Sequence, residues 1–391
     1  MLTVVVIVNR FPVTSETFVV DHIVGLVKSG FEVTVLASEC FQEDKQKIEK
    51  KEDIRFSLEI LSKLKVSKSK IMRIFKLFSI LGYANWKALF FTWERDLAFR
   101  SEPLMKKIIE IKPDIVHAHF GPNGMMASLA TKRLNIPLFV NFHGYDVTVI
   151  PKRYGWSAYR RWLKDDAKAI VHSGFVEKRV KMHIMDNVQR VSLGVDTSKF
   201  KAPTRLQSWP HPLRLLIVGR AIYQKGIHVA IAMLRILKLR YAGFSPHLTV
   251  CGDGEDMLFL HACAKQHGVV QNITFLGDVA YEEVAVEMRR ADILLVPSVT
   301  IQRGWEEAFC RVAIEGMAMG LSVIGSETGG LAETIGSGGR TCRAGSAWAL
   351  FQEVSSVLER STPALEADKA INRAQNFTIK RMRDEYAETI S

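Results

Sequence analysis

Short runs of β-branched and aliphatic residues alternate along this chain with longer stretches whose apolar positions recur every three or four residues. Strands of a parallel sheet are buried on both faces and read as continuous apolar runs, while the helices covering them need a single apolar stripe, so the pattern predicts βαβ units. In the first half the predicted strands are Thr3 to Val8, Phe31 to Leu36, Asp114 to His117, Leu138 to Phe142 and Ala169 to Val171. The series starts again at Leu213 to Gly219 and continues with His247 to Cys251, Asn272 to Leu276, Ile293 to Val296 and Ser322 to Ile324. Gly194 to Phe200 and the proline-bearing segment Pro203 to Pro212 read as a turn and a linker. The 391 residues suffice for two cores, and two α/β domains are expected, over 1–200 and 213–375, with a cleft between them.

Composition narrows the class. Hydrophobic and charged contents of 48% and 24% are those of an ordinary globular protein. No apolar run reaches the roughly 20 residues that span a bilayer. The first residues, Met1 to Asn9, are apolar but lack a basic start and a small-residue cleavage site, so they read as a buried strand at which the mature protein begins. Cys40, Cys251, Cys263, Cys310 and Cys342 form no Cys-x-x-Cys pair, which fits a reducing cytosol and no structural zinc. A net charge of +12 favours anionic partners: nucleic acid, anionic headgroups or phosphorylated substrates. Part of that charge lies between Lys63 and Lys87, a basic stretch without acidic residues in which Ile71, Ile74, Phe75, Phe78 and Leu81 recur at helical spacing. It reads either as a helix lying on an anionic membrane surface or as a core-facing helix with a basic solvated face.

The candidate chemistry is concentrated after the strands. Glu307 and Glu315 stand eight positions apart, about 80° around a helix axis, with Phe309, Cys310 and Arg311 at a helix start between them. With Glu307 on the preceding loop, both carboxylates can converge on a ligand that offers hydroxyls at its two ends, as a nucleotide-sugar does. Gly219 to Gly226 puts Arg220 and Lys225 on a loop that opens a helix at the carboxyl end of a strand; they read as diphosphate ligands or as solvated loop charges. Gly252, in Cys251-Gly-Asp-Gly-Glu255, permits close backbone approach to a ligand or simply a tight strand-to-helix connection, and Leu276 ends another strand. In the first half, His117-Ala-His119 and Phe142-His-Gly-Tyr-Asp146 place His119, His143 and Asp146 at strand ends. Ser15, Glu16 and Thr17 follow the first strand, where Ser15 or Thr17 suits a helix cap and the segment suits acceptor binding.

In their order, these motifs resemble the retaining family 4 glycosyltransferases, over nearly the whole chain. The resemblance implies the GT-B fold, two Rossmann-like α/β domains with parallel sheets facing across a deep cleft, and a helix over 376–391 crossing back onto the first domain. It implies that Arg220 and Lys225 hold the donor diphosphate and that Glu307 and His143 lie at the catalytic centre. Glu315 would hold the ribose, with Phe309, Cys310, Arg311, Gly252 and Leu276 lining the donor, while Ser15, Glu16, Thr17, His119 and Asp146 face the acceptor. Where the family commonly reads Glu-Gly-Phe-Gly, this chain has Ala308 and Cys310, whose Cβ atoms narrow the pocket. Phe-Pro-x-x-Ser-Glu-Thr-Phe, ending at Phe18, is similar to the exopolysaccharide enzymes of the colanic acid and amylovoran type. The implied activity is retaining transfer of a sugar from a nucleotide diphosphate donor, UDP-linked, to a growing lipid-linked exopolysaccharide or envelope glycan. It would proceed without a metal or other cofactor and without a specific nucleic-acid partner, in the cytoplasm and peripherally on the inner face of the plasma membrane. The alternatives are a nucleotide-sugar epimerase of the same fold and a non-catalytic basic protein that binds glycan or nucleic acid.

Overall fold

The computed structural model describes residues 1–13, 16–61, 92–241, 243, 245–302 and 304–390. The basic segment Lys63 to Lys87, and Ser15, lie outside the described residues. The chain divides into two compact units, one formed by Met1–Ser192 with Met382–Ser391 and the other by Leu193–Arg381.

Among the described residues the N-terminal unit is built on seven strands: β1 (Thr3–Phe11), β2 (Glu32–Cys40), β3 (Ser57–Ile60), β4 (Ile115–His119), β5 (Leu138–Phe142), β6 (Lys168–Val171) and β7 (Val188–Arg190). All pair in parallel, in the order β3-β2-β1-β4-β5-β6-β7. The central strands β4 and β5 are buried along their whole length, which is why they read as unbroken apolar runs. The edge strands β3 and β7, absent from the sequence expectation, are short and partly polar, since one side of each meets solvent. The last helix, Ile379–Ile390, carries Met382, Tyr386 and Ile390 at four-residue spacing as its buried stripe, and from Met382 onward it packs with this unit.

The C-terminal unit holds β8 (Arg214–Val218), β9 (His247–Cys251), β10 (Ile273–Gly277), β11 (Ile293–Val296), β12 (Ser322–Ser326) and β13 (Gly339–Cys342). These form a second parallel sheet ordered β10-β9-β8-β11-β12-β13. The expected boundary after residue 200 moves to Leu193. Val195 and Phe200 are buried in the core of this unit, and Val195 forms a parallel bridge with Thr378. A Cβ at Gly194 would lie 2.6 Å from the Ile379 Cα, so glycine allows these two segments to touch.

In each sheet the strand order reverses once, between β1 and β4 and between β8 and β11. Loops leaving the carboxyl ends of strands on the two sides of such a reversal run apart and leave a crevice, which is where open α/β sheets bind ligands.

The core of the N-terminal unit is unusual in holding imidazoles. His22, His117, His119 and His172 are buried, and the half-buried His143 stacks on His119. Burial holds His117 and His172 down at about 4, against an ordinary value of 6.5, and holds His22, His119 and His143 well below it. The unfolded chain therefore takes up protons below pH 6.5 that the folded chain refuses, and folding stability falls as pH drops from 6.5 towards about 4. Each fully buried imidazole contributes about 1.4 kcal/mol per pH unit inside that window. Melting followed from pH 7.5 down to pH 5 is expected to show a drop of at least about 5 °C, most of it below pH 6.5; a flat profile would contradict the neutral buried cluster.

Candidate active site

In the C-terminal unit the crevice is built by the loops after β8, β9 and β11. The first runs from Gly219 through a short 3-10 turn, Tyr223–Lys225, to Gly226, which opens the helix Ile227–Arg240 with φ +66. A Cβ at Gly226 would come within 1.9 Å of the Pro297 carbonyl oxygen, so only glycine lets this loop lie against the one after β11. The Val299 amide donates to the Gln224 carbonyl at 2.8 Å and ties the same two loops.

That contact sets Lys225 opposite Glu307. Their side chains meet at 2.6 Å, with 23% of the lysine and 10% of the glutamate exposed. Ser298 donates to the same carboxylate oxygen at 3.2 Å, and the Lys225 ammonium lies 5.5 Å from the centre of the Trp305 ring. Burial works to lower the Lys225 pKa, but the charge and hydrogen bond of Glu307 outweigh it, so the net shift is upward and the ammonium is charged at neutral pH. Glu307 is fixed from behind as well. The Gly330 amide donates to its carbonyl at 2.7 Å, and a Cβ at Gly329 (φ +55) would stand 2.2 Å from that oxygen. The pair Gly329-Gly330 is thus a backbone clamp on Glu307. Arg220 is exposed and has no ion-pair partner among the described residues.

Cys310 precedes the helix Arg311–Ala318 with φ −117, and neither it nor Ala308 has a positive φ. Both are buried, and Cys310 joins the apolar cluster of this unit. The backbone here needs no glycine, so the two departures are compatible with the local fold. Burial first, and Glu307 second, push the Cys310 thiol up to about 12, so it is a neutral packing group. Phe309 places its ring 6.0 Å from Phe377, and Arg311 opens the helix. Four residues on, Glu315 is buried and accepts a hydrogen bond from the Tyr281 hydroxyl at 3.0 Å. Gly252 has a structural explanation: its Cβ would meet the Gly219 carbonyl oxygen at 2.1 Å, so glycine permits the loops after β8 and β9 to touch. Leu276 sits at the end of β10, where 41% of it is exposed.

In the N-terminal unit, His119 ends β4 and His143 follows β5. His119 Nδ1 and His143 Nε2 are 2.9 Å apart, and His119 Nε2 lies 3.0 Å from Nδ1 of His22. His119 is fully buried behind His143, so of the two only His143 is placed to meet a ligand. The expectation that Asp146 faces an acceptor is corrected. Its buried carboxylate accepts from the backbone amides of His143, Gly144 and Gly121 at 3.0, 2.9 and 3.0 Å, and it fastens the loop after β5 to the one after β4. Burial raises its pKa, against the opposing pull of those amides. Phe18 and Phe120 flank the His143 ring at centroid distances of 4.4 and 4.7 Å. Phe120 adopts φ +71, a conformation costing about 1–3 kcal/mol that proteins retain mainly at functional sites. The cap expected from Thr17 is also corrected: Thr17 is the first helical residue and Glu16 holds the cap position without a side-chain cap bond. Glu16 is partly buried, which raises its pKa despite Arg10.

Sequence reasoning did not name His22, Asn141, Tyr281, Ser298 or Tyr386. His22 left a signal, because it stands with Val19, Ile23 and Leu26 on the buried stripe of the helix Thr17–Lys28. Tyr386 left a similar one between Met382 and Ile390. Ser298 and Tyr281 are recognisable only from what they touch.

Residues 15–199 match the protein family described as Glycosyltransferase Family 4, and residues 203–377 match that described as Glycosyl transferases group 1. The glycogen synthase of Mycobacterium tuberculosis is 27% identical over 282 residues, which cover 68% of this chain and 65% of that enzyme. The amylovoran biosynthesis glycosyltransferase AmsK of Erwinia amylovora is 28% identical over 342 residues, 83% of each chain. Among solved structures, HepE of Anabaena in complex with UDP aligns with a TM-score of 0.74 at 15% identity, covering 100% of this chain and 99% of that one. The parallel sheets, the crevice loops and these two consecutive matches lead to one assignment: the chain belongs to the family 4 glycosyltransferases of GT-B fold.

Proposed function

We propose that this chain is a retaining, metal-independent hexosyltransferase that carries a sugar from a UDP-linked donor to a growing, lipid-linked exopolysaccharide or envelope glycan at the inner face of the plasma membrane. The observation that carries the reading is the Lys225 to Glu307 pair, closed at 2.6 Å at the reversal of the second sheet. The relatives, AmsK of amylovoran biosynthesis and HepE in complex with UDP, support the donor and glycan classes.

In this reading the bond between the anomeric carbon and the diphosphate oxygen breaks with its electrons going to the diphosphate, while positive charge grows on the sugar. Fixed cations beside the phosphates stabilise that state more than the ground state and so lower the barrier. Lys225 supplies one such charge, kept protonated by Glu307. Arg220, without an ion-pair partner among the described residues, supplies another. Glu307 accepts sugar hydroxyls with the carboxylate capacity that Lys225 and Ser298 leave, and Glu315 accepts ribose hydroxyls beside Tyr281. The acceptor hydroxyl bonds to the anomeric carbon on the face the diphosphate leaves, giving its proton to the departing phosphate oxygen, and the anomeric configuration is kept. Because side-chain cations serve the leaving group, no divalent ion is required.

Transfer of a labelled hexose from UDP-hexose to a lipid-linked acceptor fraction tests this directly. Turnover is expected to persist in excess EDTA and to fall about 10²–10³-fold in Lys225→Ala. Release of a free epimer from donor alone would favour an epimerase, and loss of activity with the metal would sink the metal-free mechanism.

The segment Lys63 to Lys87 is proposed to hold the enzyme on anionic lipid, each nearby basic side chain adding about 1 kcal/mol. The full chain is expected to float with vesicles rich in phosphatidylglycerol and to remain behind with neutral ones. Equal recovery from both would exclude an electrostatic anchor.

A further inference from the structure

The tautomers of the buried histidines follow from their partners. His172 places Nδ1 2.8 Å from the Val191 carbonyl oxygen, which can only accept, so Nδ1 carries the hydrogen and Nε2 is bare. His117 places Nε2 3.0 Å from Oδ1 of Asn141, whose amide nitrogen donates to the Tyr386 hydroxyl at 2.8 Å; Nε2 therefore carries the hydrogen and Nδ1 is bare. Both bare nitrogens are buried without a hydrogen-bond partner among the described residues. At these two positions the ring hydrogen is spent on an acceptor and the nitrogen left over is the one without a hydrogen.

Nε2 of His22 has the same standing, buried and without a partner among the described residues, and the centroids of the His117 and Tyr386 rings each lie 4.3 Å from that of the His22 ring. A buried donor left unmatched is rarer and costlier than an unmatched acceptor, so His22 Nε2 is bare and its hydrogen sits on Nδ1. From there each neutral ring dictates the next. His22 Nδ1 donates to His119 Nε2 at 3.0 Å, and His119 Nδ1 then donates to His143 Nε2 at 2.9 Å. The hydrogen of His143 is left on Nδ1, which makes no hydrogen bond among the described residues and belongs to the least buried of the three rings.

We propose that the chain His22, His119, His143 is polarised in this one sense, so that His143 offers Nδ1–H as a hydrogen-bond donor to an oxygen lone pair of the bound substrate and takes no proton from it. His119 and His22 are positioning residues that set the tautomer. A phosphate or sugar oxygen is the ligand atom such a donor selects. That identity rests on the glycosyl-transfer reading, whereas the tautomer does not. The low proton affinity of all three rings keeps the chain of imidazoles neutral at physiological pH.

Long-range proton–nitrogen correlation spectra of the full chain, labelled with ¹⁵N-histidine and free of ligand, test the proposal without needing any activity. His143 is expected as one neutral form at pH 7.5, with Nδ1 protonated and Nε2 of imine type. In His119→Phe, which keeps the aromatic bulk and removes the donor, His143 is expected to become a mixture of both tautomers. A wild-type spectrum with hydrogen on Nε2 of His143 and a bare Nδ1 would overturn the proposal whatever the variant does. An unchanged single tautomer in His119→Phe would reduce His119 to packing.

Discussion

The Lys225 to Glu307 ion pair is the constraint around which the C-terminal unit is arranged. A mostly buried charge needs a partner of opposite sign, and removing one partner leaves the other stranded in a medium that solvates it poorly. Here the partners come from loops on the two sides of a strand-order reversal, so the pair forms only when both loops are held to within a few tenths of an ångström. The glycines explain how. Gly226 allows the loop after β8 to touch Pro297, and Gly329 and Gly330 close around the backbone of Glu307. Gly226 and Gly329 are glycines because a neighbouring carbonyl occupies the space a side chain would take. The pair in turn raises the proton affinity of Lys225, and its carboxylate helps keep Cys310 a neutral thiol.

The N-terminal unit solves a different problem with the same sheet topology. Its reversal is furnished with neutral imidazoles, which can be buried together because burial suppresses the charge that would make them repel. Asp146 spends its carboxylate on three backbone amides, and in doing so sets the loop that carries His143. One unit thus holds a fixed pair of charges and the other a cluster of neutral imidazoles.

Much of this was legible in the sequence because buried parallel strands leave nearly continuous apolar runs, and the loops that follow them carry the chemistry. The strands β4, β5, β8 and β11 were found within a residue or two, while β1 and β2 run on to Phe11 and Cys40, past the expected ends at Val8 and Leu36, and the ion pair of Lys225 with Glu307 was not foreseen. The edge strands β3, β7 and β13 escaped because they are short and carry polar residues, whereas the fourth edge strand, β10, showed itself through Ile273, Phe275 and Leu276. Asp146 and Gly252 were named for ligand roles because a strand-end carboxylate or glycine looks the same in sequence whether it faces a ligand or the backbone of the next loop. His22 and Tyr386 were hidden in apolar stripes, where a polar residue reads as core. The domain boundary moved because Val195 and Phe200 take their burial from partners far along the chain, at Phe377 and Thr378 among them.

In the proposed reaction the two members of the ion pair serve different parts of one ligand, the ammonium the diphosphate and the carboxylate the sugar. Calorimetric titration of the full chain with UDP and with UDP-hexose separates those roles. Lys225→Ala should lose affinity for both, whereas Glu307→Gln, in which the UDP phosphates take over as the counter-charge of Lys225, should lose about tenfold or more for UDP-hexose beyond any change in its affinity for UDP, the effect of about 1.4 kcal/mol of lost hydrogen bonding to the sugar. Wild-type affinities for both ligands in both variants would contradict the assignment.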